Sequence, residues 1–186
     1  FFLSSLISKT RMEFPAFHSL PPFFTLQPVA ETRKKQLSMW VELILLYQTT
    51  MKRNVIVVSE EEKGDLFNNK AIKRKLSTPD IQAVLDELCA QGHGKWSDSQ
   101  KTVCYTSEKK FSEWAAALHT WASESGANKS ICTIFELQQG DLTAGESFAG
   151  LPIEVLLAAC QLLQEEGRAT LVPGDDASET GVKFLE

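Results

Sequence analysis

The chain has 186 residues, a formal net charge of −5, 43% hydrophobic residues and 23% charged ones. That balance suits one ordinary domain or two small ones and excludes a disordered chain. It also argues against a general nucleic-acid binder, which carries a basic surplus.

The first eleven residues, FFLSSLISKTR, contain no acid and carry Lys9 and Arg11, a composition like that of a transit peptide. Met12 offers the simpler reading, as the initiator with residues 1–11 upstream of it. Residues 1–18 form a poorly defined N-terminal extension. Residues 14–28, FPAFHSLPPFFTLQP, then hold four Phe and four Pro in fifteen positions without a charge. Pro at this density suits neither a helix interior nor a central strand. Pro21, Pro22 and Pro28 bias the backbone towards an extended or polyproline conformation, from which Phe23 and Phe24 project. Residues 19–31 are therefore read as an extended Pro/Phe-rich N-terminal arm. Burying each ring contributes about 1.5–3 kcal/mol, and proline lowers the cost of ordering the chain beforehand. The arm is built to dock in a groove, which can belong to another protein or to the chain's own first helix; the residues leave both open. Truncating Phe23 and Phe24 to Ala is expected to release the partner and leave the monomer folded.

Residues 32–52 predict a long helix, striped by Leu37, Trp40, Val41, Ile44, Leu45 and Met51. VIVVS at 55–59 reads as a short strand, EEEKGD as an acidic loop, and FNNKAIKRKL as a short helix. Residues 78–91 form a further helix with Thr78 as N-cap, Pro79 at its first position and Gly92 as its stop. GKWSDSQKTVCYTS reads as a hairpin. Helix, strand, helix, helix, hairpin is the order of a winged helix. The same order then recurs. A helix spans 109–125, ICTIFEL is strand-like, Pro152 opens a helix that Gly167 ends, and ATLVP and GVKFL pair around GDDASET. Gly92 and Gly167, Leu88 and Leu163, and Ile81 and Leu156 each stand 75 residues apart, and Trp40 and Trp114 stand 74 apart. A constant offset marks an internal repeat. The expected fold class is α+β, mainly helical, with two tandem winged-helix domains at 32–107 and 108–186 behind the arm.

No catalytic constellation is visible. His18, His93 and His119 fall in no nucleophile or metal motif and read as surface or edge histidines. Phosphate-binding glycine patterns are absent. Cys89, Cys104, Cys132 and Cys160 include no CxxC pair, and Cys89 with His93 makes too few ligands for a metal. No cofactor and no enzymatic activity are expected. The alternative is a winged-helix DNA-binding transcription regulator, motivated by the basic run Lys70, Lys73, Arg74 and Lys75. Against it, the helix that would enter the major groove exposes Asp80, Gln82, Asp86 and Glu87, and its counterpart exposes Glu154, Gln161, Gln164 and Glu165. Neither helix carries a Lys or Arg to meet phosphates. No apolar run approaches the ~20 residues that span a bilayer.

PPFFTLQP, then TRKKQL and a Trp-bearing helix, LFNN, a basic RKL and a C-terminal GVKF together resemble the small winged-helix subunit of the ESCRT-II complex (the Vps25 type). The resemblance runs from about residue 19 to the C-terminus. It departs at the ending, where Leu185 and Glu186 follow GVKF, and in the composition of EEEKGD. The resemblance implies a non-enzymatic, cytoplasmic protein recruited peripherally to endosomes, without direct membrane insertion or nucleic-acid binding. It implies that Pro21, Pro22, Phe23 and Phe24 dock the arm and first winged helix onto the two larger ESCRT-II subunits. It also implies that the second winged helix recruits an ESCRT-III subunit in sorting ubiquitinated membrane cargo into multivesicular bodies.

Overall fold

A computed structural model describes residues 12–185. The alternative readings of residues 1–11 and the terminal Glu186 lie outside the described residues. The stripe that begins at Leu37 builds α1 (Ala30–Met51), which ends where Lys52 turns left-handed at φ 52°. β1 (Val55–Val57) follows and stops two residues short of the expected strand. Val58 still donates its N–H to the Thr102 carbonyl at 3.0 Å, but the chain then closes into the helical turn α2 (Val58–Glu61). Its last residue, Glu61, is buried and meets Arg53 Nη1 at 2.9 Å.

FNNKAIKRKL is not a helix, which corrects the sequence reading. β2 (Asn68–Asn69) pairs antiparallel with β3 (Arg74–Lys75). Asn69 Oδ1 accepts the N–H groups of Ala71 at 3.0 Å and Ile72 at 3.4 Å, and Lys73 sits at φ 55°. An Asn side chain that satisfies the next backbone donors competes directly with the helix. The basic run therefore lies on an exposed turn.

α3 (Thr78–Ala90) starts one residue earlier than expected, because Ser77 is its cap and accepts the Asp80 N–H at 3.3 Å. Gly92 stops the chain beyond it at φ 85°, a conformation that side chains rarely adopt. β4 (Gly94–Trp96) and β5 (Val103–Thr106) form the expected hairpin. Its turn is organised by Asp98, which accepts from Thr102 and Val103. Those donors, Thr102 foremost, hold its carboxyl below the usual range. The sheet order is β1-β5-β4.

The second half repeats this plan. α4 (Phe111–Ser125) precedes β6 (Cys132–Thr133) and α5 (Ile134–Gln139). ICTIFEL was expected as a strand, yet only its second and third residues pair. Thr133 Oγ1 accepts the Glu136 N–H at 3.1 Å, and Glu136 Oε2 accepts the Thr133 N–H at 2.7 Å. This reciprocal capping box starts a helix at the point where an apolar run reads as a strand. α6 (Ile153–Glu165), β7 (Ala169–Val172) and β8 (Gly181–Phe184) complete a sheet of order β6-β8-β7. The ends of α3 and α6 stand 75 residues apart, as the repeat predicts. The chain is thus α+β, with helices and small antiparallel sheets around two hydrophobic cores.

The acidic faces expected to be open are engaged. Asp86 accepts from Trp96 Nε1 at 2.9 Å and Lys101 Nζ at 2.6 Å, and Gln82 donates to the Lys101 carbonyl. Glu154 and Glu165 on α6 reach across to Asn54 at 3.4 Å and Lys95 at 2.7 Å, beside the first core. At the junction the Phe111 N–H donates to the Gly92 carbonyl at 2.9 Å. Removing the Thr133 cap tests the reassigned element. Thr133→Ala is expected to cost about 0.5–2 kcal/mol in urea unfolding, and no measurable loss would return the segment to a strand.

Candidate functional site

The Pro/Phe segment departs furthest from its expected conformation. It forms two 3-10 turns, Ala16–Ser19 and Pro21–Phe24, rather than an extended arm. Phe23 and Phe24 do not project; they are 6% and 3% exposed within the first core. Phe23 stacks on Trp40 with ring centroids 4.2 Å apart and planes 17° apart, and Phe24 meets the same indole edge-on at 5.6 Å. The physical reason lies in what proline restricts. It sets φ near −65°, a value shared by polyproline and 3-10 backbone, while ψ separates the two. Here ψ is decided by contacts with α1.

Those contacts come from two side chains on one face of α1, four residues apart. Trp40 Nε1 donates to the Phe23 carbonyl at 3.2 Å. Gln36 Nε2 lies within hydrogen-bond distance of the Pro22, Phe23 and Thr25 carbonyls, at 3.3, 3.0 and 2.9 Å. Its Oε1 accepts the Gln27 N–H at 3.0 Å, and Gln27 Nε2 in turn donates to Pro22 and Thr25. The backbone of a segment without regular structure is thereby satisfied by side chains, as burial demands. Gln36 is itself buried. Sequence reasoning passed over it, although a lone Gln one turn before Trp40 on an apolar stripe was a usable signal.

His18 corrects a second reading. It is buried, not at a surface or an edge. Nε2 lies 2.9 Å from the Leu66 carbonyl, so it carries the proton, and Nδ1 is left to accept from Asn69 Nδ2 at 3.3 Å. Asn69 also donates to the His18 carbonyl at 2.8 Å, and Phe14 stacks on the ring at 4.1 Å. Leu66 and Phe67 are fully buried, with Phe67 against Trp40 at 5.5 Å. LFNN and PPFFTLQP, separated by some forty residues, are thus one constellation around Trp40. Burial lowers the His18 pKa below 6.5, outweighing its bond to Leu66 and the Asp65 carboxylate.

What this constellation leaves outside is compact. Pro21 and Pro22 are exposed, as are the apolar side chains of the preceding Leu20 and of Val29 at the start of α1. The four predicted residues therefore divide into two outward prolines and two inward rings. Elsewhere, His93 Nδ1 lies 3.1 Å from the Ser107 carbonyl and His119 Nε2 lies 2.9 Å from that of Leu185. The four cysteines are free thiols, and no cluster of three or more His, Cys, Asp or Glu converges among the described residues. No helix among them is long and apolar enough to cross a membrane.

Comparison with known proteins bears on this constellation directly. The family described as ESCRT-II complex subunit matches residues 17–152, a span that holds both motifs and Trp40. The chain belongs to that family. Vacuolar protein-sorting-associated protein 25 of Danio rerio is 41% identical over 173 residues, covering 93% of this chain and 98% of the relative. The Homo sapiens protein of that name is 40% identical over the same length, and the Arabidopsis thaliana protein is 34% identical over 170 residues. The crystal structure of subunit VPS25 of the endosomal trafficking complex ESCRT-II superimposes with a TM-score of 0.63 at 26% identity, covering 92% of this chain and 98% of that one. A chain of the crystal structure of endosomal complex ESCRT-II (VPS22/VPS25/VPS36) is similar to this one as well, with a TM-score of 0.60 at 27% identity.

Two expectations follow for this member of the ESCRT-II family. Phe23→Ala is expected to cost about 3–5 kcal/mol of stability in the isolated chain. An unchanged unfolding midpoint would show that the ring is not core. With the folded pKa of His18 below 6.5, the unfolded chain takes up the proton first. The stabilisation from neutral His18 is then complete above about pH 6.5 and declines as pH falls below it. Urea midpoints should drop between pH 7.5 and 5.5, and His18→Gln, which keeps a donor and an acceptor without titrating, should flatten that slope.

Proposed function

We propose that this chain is a non-enzymatic assembly subunit of ESCRT-II, built as two tandem winged helices at 32–107 and 108–186 behind a docking segment at 19–31. The segment and the first winged helix bind the two larger subunits, the counterparts of VPS22 and VPS36. The second winged helix engages an ESCRT-III subunit, and the assembly sorts ubiquitinated membrane cargo into multivesicular bodies from the cytoplasmic face of endosomes. The observation that carries this reading is the rigid display of Leu20, Pro21 and Pro22. The rings of Phe23 and Phe24 anchor the segment from within, and the prolines offer a preformed apolar surface that loses little entropy on docking. The repeated order of helices and strands, and the shared sheet order, support the two winged helices. Family membership supports the partners.

The DNA-binding alternative loses its footing on both candidate helices. The polar face of α3 holds its own hairpin through Asp86, and Glu154 and Glu165 of α6 bond Asn54 and Lys95 in the first half. An exposed pair of prolines also permits a cleaner test than the buried rings. Replacing Pro21 and Pro22 together by Ser should lower affinity for the co-expressed larger subunits at least tenfold. The thermal midpoint should fall by only a few degrees, since each proline contributes roughly 0.4–1 kcal/mol through the unfolded chain. Undiminished co-purification of the double variant would sink the docking role of the segment.

A further inference from the structure

The two cores meet at a cleft of about 630 Å³ that the assembly reading does not use. α1 supplies Leu45 and Gln48, the junction supplies Thr106 and Lys109, and Trp114, Leu151 and Val155 come from the second half. The walls are mainly apolar, but two polar side chains at the cleft, those of Gln48 and Thr106, have no partner among the described residues. Gln48 is only 3% exposed, yet neither its Nε2 nor its Oε1 has a partner. Thr106 is 1% exposed, and its hydroxyl has none either. Buried polar groups in folded proteins are nearly always satisfied, so each such atom calls for a reason.

Several neighbouring groups have other partners. The Asn54 carbonyl accepts the Thr106 N–H at 2.8 Å, and the Asn54 side chain holds Glu154. The Ser107 hydroxyl accepts from Trp114 Nε1 at 2.9 Å, and Lys109 lies over the Trp114 ring at 4.6 Å. Neither side chain's polar atoms reach solvent as they stand, so Gln48 must turn towards the cleft, between Leu45, Trp114, Leu151 and Val155, to offer a donor and an acceptor in one carboxamide plane, with the Thr106 hydroxyl behind it. A residue in extended conformation offers its own N–H and C=O on one edge of the chain, and successive side chains alternate between the two faces. A carboxamide can pair with both groups at once. Lys52 and Lys109 are exposed at the rim, against Glu108, while Arg53 is held by Glu61. This rim is positive in a chain whose net charge is −5.

We propose that the cleft between the two cores is a peptide-binding site: Gln48 pairs with the main-chain amide edge of an extended partner segment, whose apolar side chains enter the cleft and whose carboxylates meet Lys52 and Lys109. This mode of recognition takes affinity from the main chain and specificity from the side-chain pockets. The site lies apart from Pro21 and Pro22, so it accepts a ligand while the docking segment is occupied.

The test pans a phage-displayed library of random decapeptides against the full chain, then measures synthetic copies of the enriched peptides by fluorescence anisotropy. Enriched peptides should alternate apolar with acidic residues and shift the Gln48 side-chain NH₂ resonances in nuclear magnetic resonance spectra. Gln48→Leu should weaken them at least tenfold, and Lys52→Glu with Lys109→Glu should weaken them further while reducing the dependence on salt. Because the unpaired carboxamide is replaced by an apolar group of similar shape, the thermal midpoint of Gln48→Leu should hold or rise. Absence of enrichment, or peptides that bind Gln48→Leu within twofold of the parent chain, would leave only water in the cleft and overturn the proposal. A marked fall in the midpoint would overturn it too, by showing that Gln48 already has internal partners.

Discussion

Trp40 is fully buried, and a buried indole must place both its large apolar faces and one N–H donor. The first half of the chain is arranged around that requirement. Phe23 covers one face, Phe24 and Phe67 pack around the ring, and the Phe23 carbonyl takes the N–H. Since the acceptor belongs to the same residue that stacks, a single contact fixes the backbone and the ring together. Gln36 extends the arrangement by one helical turn; it secures the Phe23 and Thr25 carbonyls and adds to the Pro22 carbonyl, which already accepts the Thr25 N–H. The same clamp faces Leu20, Pro21 and Pro22 outward, so the proposed docking surface is a consequence of core packing.

The two halves answer one architectural problem with different side chains. α3 and α6 run in equivalent places, and each leads through a left-handed glycine, Gly92 or Gly167, into a hairpin. An aspartate organises the loop of each hairpin, Asp98 in the first and Asp176 in the second, where it accepts from Ser178 and Glu179. The first core also takes in a segment that precedes its first helix. Among the described residues the second core has no such arm, Tyr105 of β5 alone packing on it from before α4, and Trp121 sits between Phe148 and Phe184 from its own sheet and loops. A repeated fold has thus been specialised by adding an arm to one copy. Direct contacts tie the copies: Asn54 to Glu154, Lys95 to Glu165, and Phe111 to Gly92. Only Lys95–Glu165 among them is an ion pair, and a surface pair contributes little on its own.

Much of the fold was legible in the chain. The stripes of α1, α3, α4 and α6, the glycine stops and both hairpins follow from period and punctuation, and the 75-residue offset links the halves. The errors share one cause. FNNKAIKRKL and ICTIFEL were judged by composition, whereas a single side chain, Asn69 in one and Thr133 in the other, decided the local backbone by competing for its hydrogen bonds. The capping box of Thr133 and Glu136 was readable at their three-residue spacing. The burial of His18 was not, because its acceptor is the carbonyl of Leu66, 48 residues away.

The sequence alone marked Pro21, Pro22, Phe23 and Phe24 as a segment outside regular structure. Prolines beside aromatics without charge cannot be an ordinary helix or strand, and their chemistry marks them for a groove. Only the tertiary structure decided which residues fill that groove and which remain outside. Proline restricts φ and leaves ψ open, and the choice between an extended arm and a folded turn fell to Gln36 and Trp40. The groove proved to be the chain's own, so the rings went in and the prolines stayed out.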